Sequence, residues 1–170
     1  MTAAATGATG GSGARKYVTG IFEASVTLSL SLLGEEEGGN VEAFGIVSTG
    51  KVWEEALEEA VSDLLGVRDS IRFEGCETTG LNASELHDLP ADEVRKKMIE
   101  ATTRLLVRGI EGGSEVKAIC LGCAGMVGLD EAVREACVEE LGPEKGKAVH
   151  IVDGVKAGVG ILVALARGGF

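Results

Sequence analysis

The sequence predicts an open α/β layer fold, a parallel sheet flanked by helices on both faces. Apolar, β-branched runs such as VEAFGIVS (41–48), VKAICLG (116–122) and AVHIVD (148–153) alternate with stretches of helical period. The runs are almost continuously apolar, as strands covered on both faces must be. Each ends in residues rich in Gly, Thr, Ser or Cys, at the carboxyl tips where sheets of this kind bind ligands.

Residues 1–15 are rich in Ala, Gly, Thr and Ser with no apolar period, and read as a flexible tail. YVTG (17–20) is expected to be a short strand end. FEASVTLSLSLL (22–33) reads as a helix, although the alternation in SVTLSLSLL also suits a strand. EEEGGN (35–40) is a solvated loop, and VEAFGIVS follows as a buried strand. KVWEEALEEAVSDLLG (51–66) places Val52, Ala56, Leu57, Ala60, Val61, Leu64 and Leu65 on one helical stripe that Gly66 stops.

SIRFEGC (70–76) is a further strand, followed by a loop in which Asn82 and Ser84 are possible caps. ADEVRKKMIEATTRLLVRG (91–109) opens acidic, turns basic and meets Gly109, the signature of a complete helix. After VKAICLG come a helix over 129–142, the strand AVHIVD, and a closing helix over 154–168 whose apolar face is Val155, Val159, Leu162, Val163 and Ala166. That face can dock on the sheet or pair with another copy.

Composition narrows the function. A chain of 170 residues, 45% hydrophobic, buries one ordinary core. A net charge of −11 argues against nucleic acid or an anionic membrane as partner, because both need a basic footprint. No apolar run approaches the roughly 18 residues of a membrane span. Four cysteines at irregular spacing (Cys76, Cys120, Cys123, Cys137) do not form a disulfide framework and fit a reducing, cytosolic setting.

The candidate chemistry centres on LGCAGM (121–126). Cys123 falls at a strand-to-helix tip between Gly122 and Gly125. Backbone N–H groups and a following helix there favour the thiolate, a usable base or nucleophile, and the glycines admit substrate close to the backbone. A small residue buried at a tight turn is the competing reading for Cys123. For Cys120, inside the strand, packing is the better account. Cys120-x-x-Cys123 lacks the second ligand pair of a zinc site, and its first cysteine sits in strand register rather than at a helix start as in a redox pair.

Ser48 and Thr49 end a strand before a helix and suit either an anion cradle or simple N-capping. VSTGK lacks the spacing of a P-loop. Glu77, Thr78 and Thr79 form a polar tip, His87 reads as a solvated loop residue, and His150 as a core or edge histidine. Glu23 lies at a helix start, where it can cap or face a cleft.

The tips, taken together, resemble the Asp/Glu/hydantoin racemase superfamily, most closely its hydantoin-racemase-like branch. LGCAGM, VDGVKAGVGILVAL (152–165), VTGIFEAS (18–25), FGIVSTGKVWEEAL (44–57) and ETTGLNASELHD (77–88) carry that resemblance, which extends from about residue 16 onward. It implies two similar α/β lobes with the active site between them. It also implies cofactor-independent proton transfer α to a carbonyl, by two cysteines on opposite faces of the stereocentre. Cys123 matches the second-lobe cysteine. Ser48, Thr49, Gly122, Ala124, Gly125, Glu23, Asp153 and Gly154 match positions around the substrate, a hydantoin or amino-acid derivative.

No cysteine precedes Cys76, so the N-terminal segment that carries the other cysteine in the family is expected to have no counterpart here. The expected organisation is a tail (1–15), a second-lobe α/β unit (16–151) and a closing helix (152–170) that in the family returns to the first lobe. Two rivals follow. One is a partial or non-catalytic relative that binds small carboxylates or amides, or assembles with another subunit, a homo-oligomer included. The other is a one-cysteine isomerase or lyase with Cys123 as covalent nucleophile.

Overall fold

The computed structural model describes residues 16–34 and 41–168; the tail expected over 1–15 and the loop over 35–40 lie outside the described residues. Helix α1 (Ile21–Leu32) leads into strand β1 (Val41–Ser48), α2 (Trp53–Leu65) and β2 (Phe73–Thr78). A single turn, α3 (Glu85–Asp88), and the long α4 (Ala91–Gly112) precede β3 (Ser114–Leu121). A 3-10 turn (Ala124–Met126), α5 (Asp130–Leu141), α6 (Pro143–Ala148), β4 (His150–Asp153) and α7 (Gly154–Gly168) complete the chain.

The four strands pair only in parallel, in the order β2-β1-β3-β4. YVTG is not a strand: residues 16–20 are irregular, and Gly20 takes the N-cap of α1 with φ −87° and ψ 160°. A short alternating run becomes a strand only where a neighbour offers it a ladder.

Successive strand residues face opposite layers, so the sheet separates two cores. Ala118 and Cys120 of β3, with Phe44 and Ile46 of β1, pack against Ala24 and Val26 of α1 and Val61 of α2. Ile119 and Leu121 of β3, with Val47 of β1, pack against Met98 and Leu105 of α4 and Val133 of α5. The ambiguity over 22–33 resolves as helix because its serines are absorbed locally. Ser25 and Ser31 donate back to the carbonyls of Ile21 and Thr27 at 2.7 and 2.8 Å, and the fully buried Ser29 meets Cys120 Sγ at 3.0 Å.

Other expectations shift. On α2 only Val61 is fully buried, while Val52 and Leu64 of the expected stripe are exposed. Gly66 ends α2 in the left-handed conformation as expected, but α4 passes through Gly109 and stops at Gly113. Pro143, at the first turn of α6, starts a further helix between α5 and β4. In α7 the buried residues are Gly154, Ala157 and Gly158, which let it lie close on α1, whereas Val155, Val159 and Val163 remain open.

The outer edge of β2 is closed by side chains. Cys76 N donates to Glu58 Oε1 at 3.1 Å, and Arg104 and Arg108 donate to the carbonyls of Thr78 and Glu74 at 2.7 and 3.3 Å. Both arginines also pair with Glu77. These bonds occupy groups that would otherwise invite another strand.

Candidate active site at the carboxyl tips of the sheet

The tips of β1, β2 and β3 converge because their backbones are knitted together past the last ladder residues. Gly122 N donates to Val47 O at 2.8 Å, Thr79 N to Ser48 O at 2.9 Å, and Gly80 N to Thr49 O at 3.0 Å. Thr79 Oγ1 donates to Thr49 O at 3.3 Å and accepts from Leu81 N at 3.2 Å. Neither Ser48 nor Thr49 caps α2, whose N-cap is Val52; both are buried at the β1 tip. A side chain on Gly122 would stand 2.9 Å from Ser48 Cβ and Oγ and from Ile46 Cγ2. That position is therefore tied to glycine by close approach.

Cys123 follows in extended conformation, φ −140° and ψ 135°, and its carbonyl accepts Met126 N at 3.0 Å to form the 3-10 turn. The fully buried Met126 plugs this turn into the core. The helix expected directly behind Cys123 is that single turn, and α5 begins only at Asp130. Cys123 itself is half-buried.

The other three cysteines are buried, and desolvation pushes their thiols up, to about 12 for Cys76, about 12 for Cys120 and about 11 for Cys137. At Cys76 the carboxylates of Glu58, Glu54 and Glu77 add to the rise. Cys120 and Cys123 pack into cores on opposite sides of the sheet, Cys120 against α1 and Cys123 against the α4–α5 side. They are not a CxxC pair in space. Among the described residues no group of His, Cys, Asp and Glu side chains is arranged to hold a metal.

A match between the sequence and the model of the Asp/Glu/hydantoin racemase family extends over residues 12–162. The chain belongs to the Asp/Glu/hydantoin racemase family. An uncharacterized protein of Schizosaccharomyces pombe is 36% identical over 153 residues, covering 90% of this chain and 55% of that protein. The crystal structure of allantoin racemase from Pseudomonas fluorescens superposes with a TM-score of 0.62 at 28% identity, covering 88% of this chain and 52% of that one. The chain thus spans about half the length of the proteins it matches.

Within this racemase-family fold the expected site residues divide. Cys123, Gly122, Ala124, Gly125, Ser48 and Thr49 gather at the β1 and β3 tips. Asp153 ends β4, and its Oδ1 accepts Val155 N at 2.8 Å and Lys156 N at 3.1 Å, so it caps α7. Gly154 is buried, and a Cβ there would stand 2.8 Å from Ser25 Oγ, so it serves the α1–α7 contact. Glu23 is exposed in the first turn of α1 with its carboxylate folded over Gly20. A cleft of about 270 Å³ lies beside Asp153, between Leu121, Asp130, Arg134 and Lys156, and does not reach Cys123.

His87 is exposed, as the sequence reading had it, but it lies on the turn α3 rather than in a loop, and its nearness to Cys123 was not foreseen. Leu86, buried against the core that holds Met126, seats α3 on the Cys123 turn. A methyl group on Gly125 would stand 3.5 Å from Leu86 Cδ1 and 3.6 Å from both Cys123 Sγ and His87 Nε2. The thiol and the imidazole therefore border one small gap, no farther apart than twice that distance. No spacing rule links residues 87 and 123; only the packing of α3 does.

Proposed function

We propose that this chain contributes one acid/base thiol, Cys123, to a racemase-type proton transfer on a 5-substituted hydantoin or a related cyclic amide. The observation that carries the reading is that, of the four cysteines, only Cys123 is half-exposed, on a sheet tip between two glycines. Family membership and the likeness to an allantoin racemase support the substrate class, since allantoin is a hydantoin with a ureido group at C5.

Cys123 as thiolate removes the C5 proton, the negative charge passes to the adjacent C4 carbonyl oxygen, and the resulting thiol returns a proton to C5. Backbone N–H groups and hydroxyls at the β1 tip are the donors such an enolate needs. Return to the same face gives exchange; return to the opposite face gives inversion. Cys76, Cys120 and Cys137 are buried, so the donor for the opposite face is not one of this chain's other thiols.

Two measurements on one reaction test this. Circular dichroism of an enantiopure 5-substituted hydantoin reports inversion, and proton NMR in D₂O reports exchange at C5. The wild-type chain accelerates exchange and Cys123→Ala does not. Exchange no faster than buffer with the wild-type chain, or equal rates with both proteins, would overturn the assignment.

A second reading has its own observation. Val18, Val52, Trp53, Val127, Val155, Val159 and Val163 are all exposed. So much open apolar surface favours a chain that works against another polypeptide, a second copy of itself included. Analytical ultracentrifugation across a concentration series distinguishes a monomer from a self-associating chain.

A further inference from the structure

We propose that His87 is a positioning residue for Cys123, holding it as the thiolate of a thiolate–imidazolium pair across the gap left by Gly125. The inference rests on reading Cys123 as the acid/base group and adds the source of its charge. Its geometry comes from three contacts. Leu86 is buried against the core beneath the Ala124–Met126 turn, which fixes α3 over Cys123. The next residue, His87, then presents Nε2 to the space that a Gly125 side chain would fill, at 3.6 Å, the same distance as Cys123 Sγ. His87 N and Asp88 N both donate to Ser84 O, at 3.0 and 3.1 Å, and Asn82 N donates to Glu85 Oε2 at 2.7 Å, so the turn that carries the imidazole is tied down.

The charged groups on the elements around the pair are mostly carboxylates. Glu85 and Asp88 share α3 with His87, Asp92 and Glu93 open α4, which packs against α3, and Asp130 and Glu131 open α5 beyond the Cys123 turn. Lys51, at the β1 tip, is the basic residue on that neighbouring loop. A cation beside a thiol favours the thiolate, the form that takes a proton from carbon. Cys123 gives its proton to water and His87 takes one from water, leaving thiolate and imidazolium across the gap. The thiolate then takes the C5 proton and later returns a proton to C5, while His87 stays charged, so the cycle balances without an added acid or base. Gly125 keeps the gap open between the two groups.

The test needs no substrate. Iodoacetamide alkylation of Cys123, followed by peptide mass spectrometry from pH 5.5 to 9, reports the thiolate directly. Near pH 6 the wild-type chain alkylates roughly three- to fiftyfold faster than His87→Asn, the range that a unit charge about 7 Å away gives in surroundings between water and a protein surface. The advantage fades at the pH where the imidazole loses its charge. His87→Lys, which carries a charge throughout, keeps the fast alkylation up to pH 9.

Superimposable profiles for the wild-type chain and His87→Asn, or a lysine variant that behaves like the asparagine one, would overturn the inference. His87 is exposed, so both variants are expected to fold, and a thermal melt of each verifies this. A coupled alkylation profile without C5 exchange would defeat the racemase reading alone. Exchange with uncoupled profiles would defeat this one alone.

Discussion

Gly125→Ala separates the site from the scaffold. Gly125 lies in the 3-10 turn Ala124–Met126 and does not use the left-handed backbone region that excludes a side chain. Its new methyl group would stand 3.5 Å from Leu86 Cδ1 and 3.6 Å from Cys123 Sγ and His87 Nε2, ordinary contact distances at which nothing must move. Replacing glycine at a compatible position restricts the unfolded chain and stabilises by about 0.4–1 kcal/mol. For a domain of this size that raises the melting temperature by about 1–4 °C.

The same methyl fills the gap between thiol and imidazole and displaces a substrate carbon from Sγ by about 1 Å or more, a misplacement worth about a hundredfold in rate. The expected result is therefore a variant that melts slightly higher and exchanges the C5 proton about a hundredfold more slowly. Thermal denaturation by circular dichroism and NMR exchange in D₂O measure the two on one sample. Gly122→Ala is the contrast. Its methyl would lie 2.9 Å from Ile46 and Ser48, so overpacking destabilises it by about 1–3 kcal/mol. A Gly125→Ala chain that exchanges at the wild-type rate would refute the placement of the reaction over this turn. One that melts well below wild type would refute the packing argument.

Two further predictions concern the scaffold. The buried thiols of Cys76, Cys120 and Cys137 titrate higher folded than unfolded, so their contribution to stability is complete below about pH 9 and is lost as pH rises toward about 12. Melting temperature should decline across that window, and a flat profile from pH 9 to 11 would show these thiols to be more accessible than their packing implies. Glu77→Ala removes the anchor shared by Arg104 and Arg108 on β2. Because both arginines are half-exposed and water replaces part of the pairing, the expected loss is about 1 kcal/mol, read from the urea midpoint.

Much of the scaffold was legible in local pattern. Continuous apolar runs marked β1 and β3, and the charge order of 91–109 marked α4, because burial on both faces and the helix dipole act on neighbours in sequence. Residues 17–20 misled, since an alternating run also needs a partner strand. The α2 stripe misled as well: Val52 and Leu64 share the helical period of Val61, yet both are exposed, and Val52 precedes the helix as its N-cap. The valines of α7 carried the strongest apolar pattern in that helix, yet the smaller Gly154, Ala157 and Gly158 make its contact, because close approach of two helices rewards small side chains.

By itself, the sequence determined the α/β class, the family and the cysteine worth testing. Those depend on residue type at short range, a glycine-flanked thiol at the end of an apolar run. Tertiary structure alone decided what surrounds that thiol. The pleat of β3 sends Cys120 to one core while the turn after it leaves Cys123 at the other, and burial of Leu86 carries His87 across 36 residues to the same gap. Side-chain direction and long-range packing are properties of the assembled sheet, and no spacing along the chain encodes them.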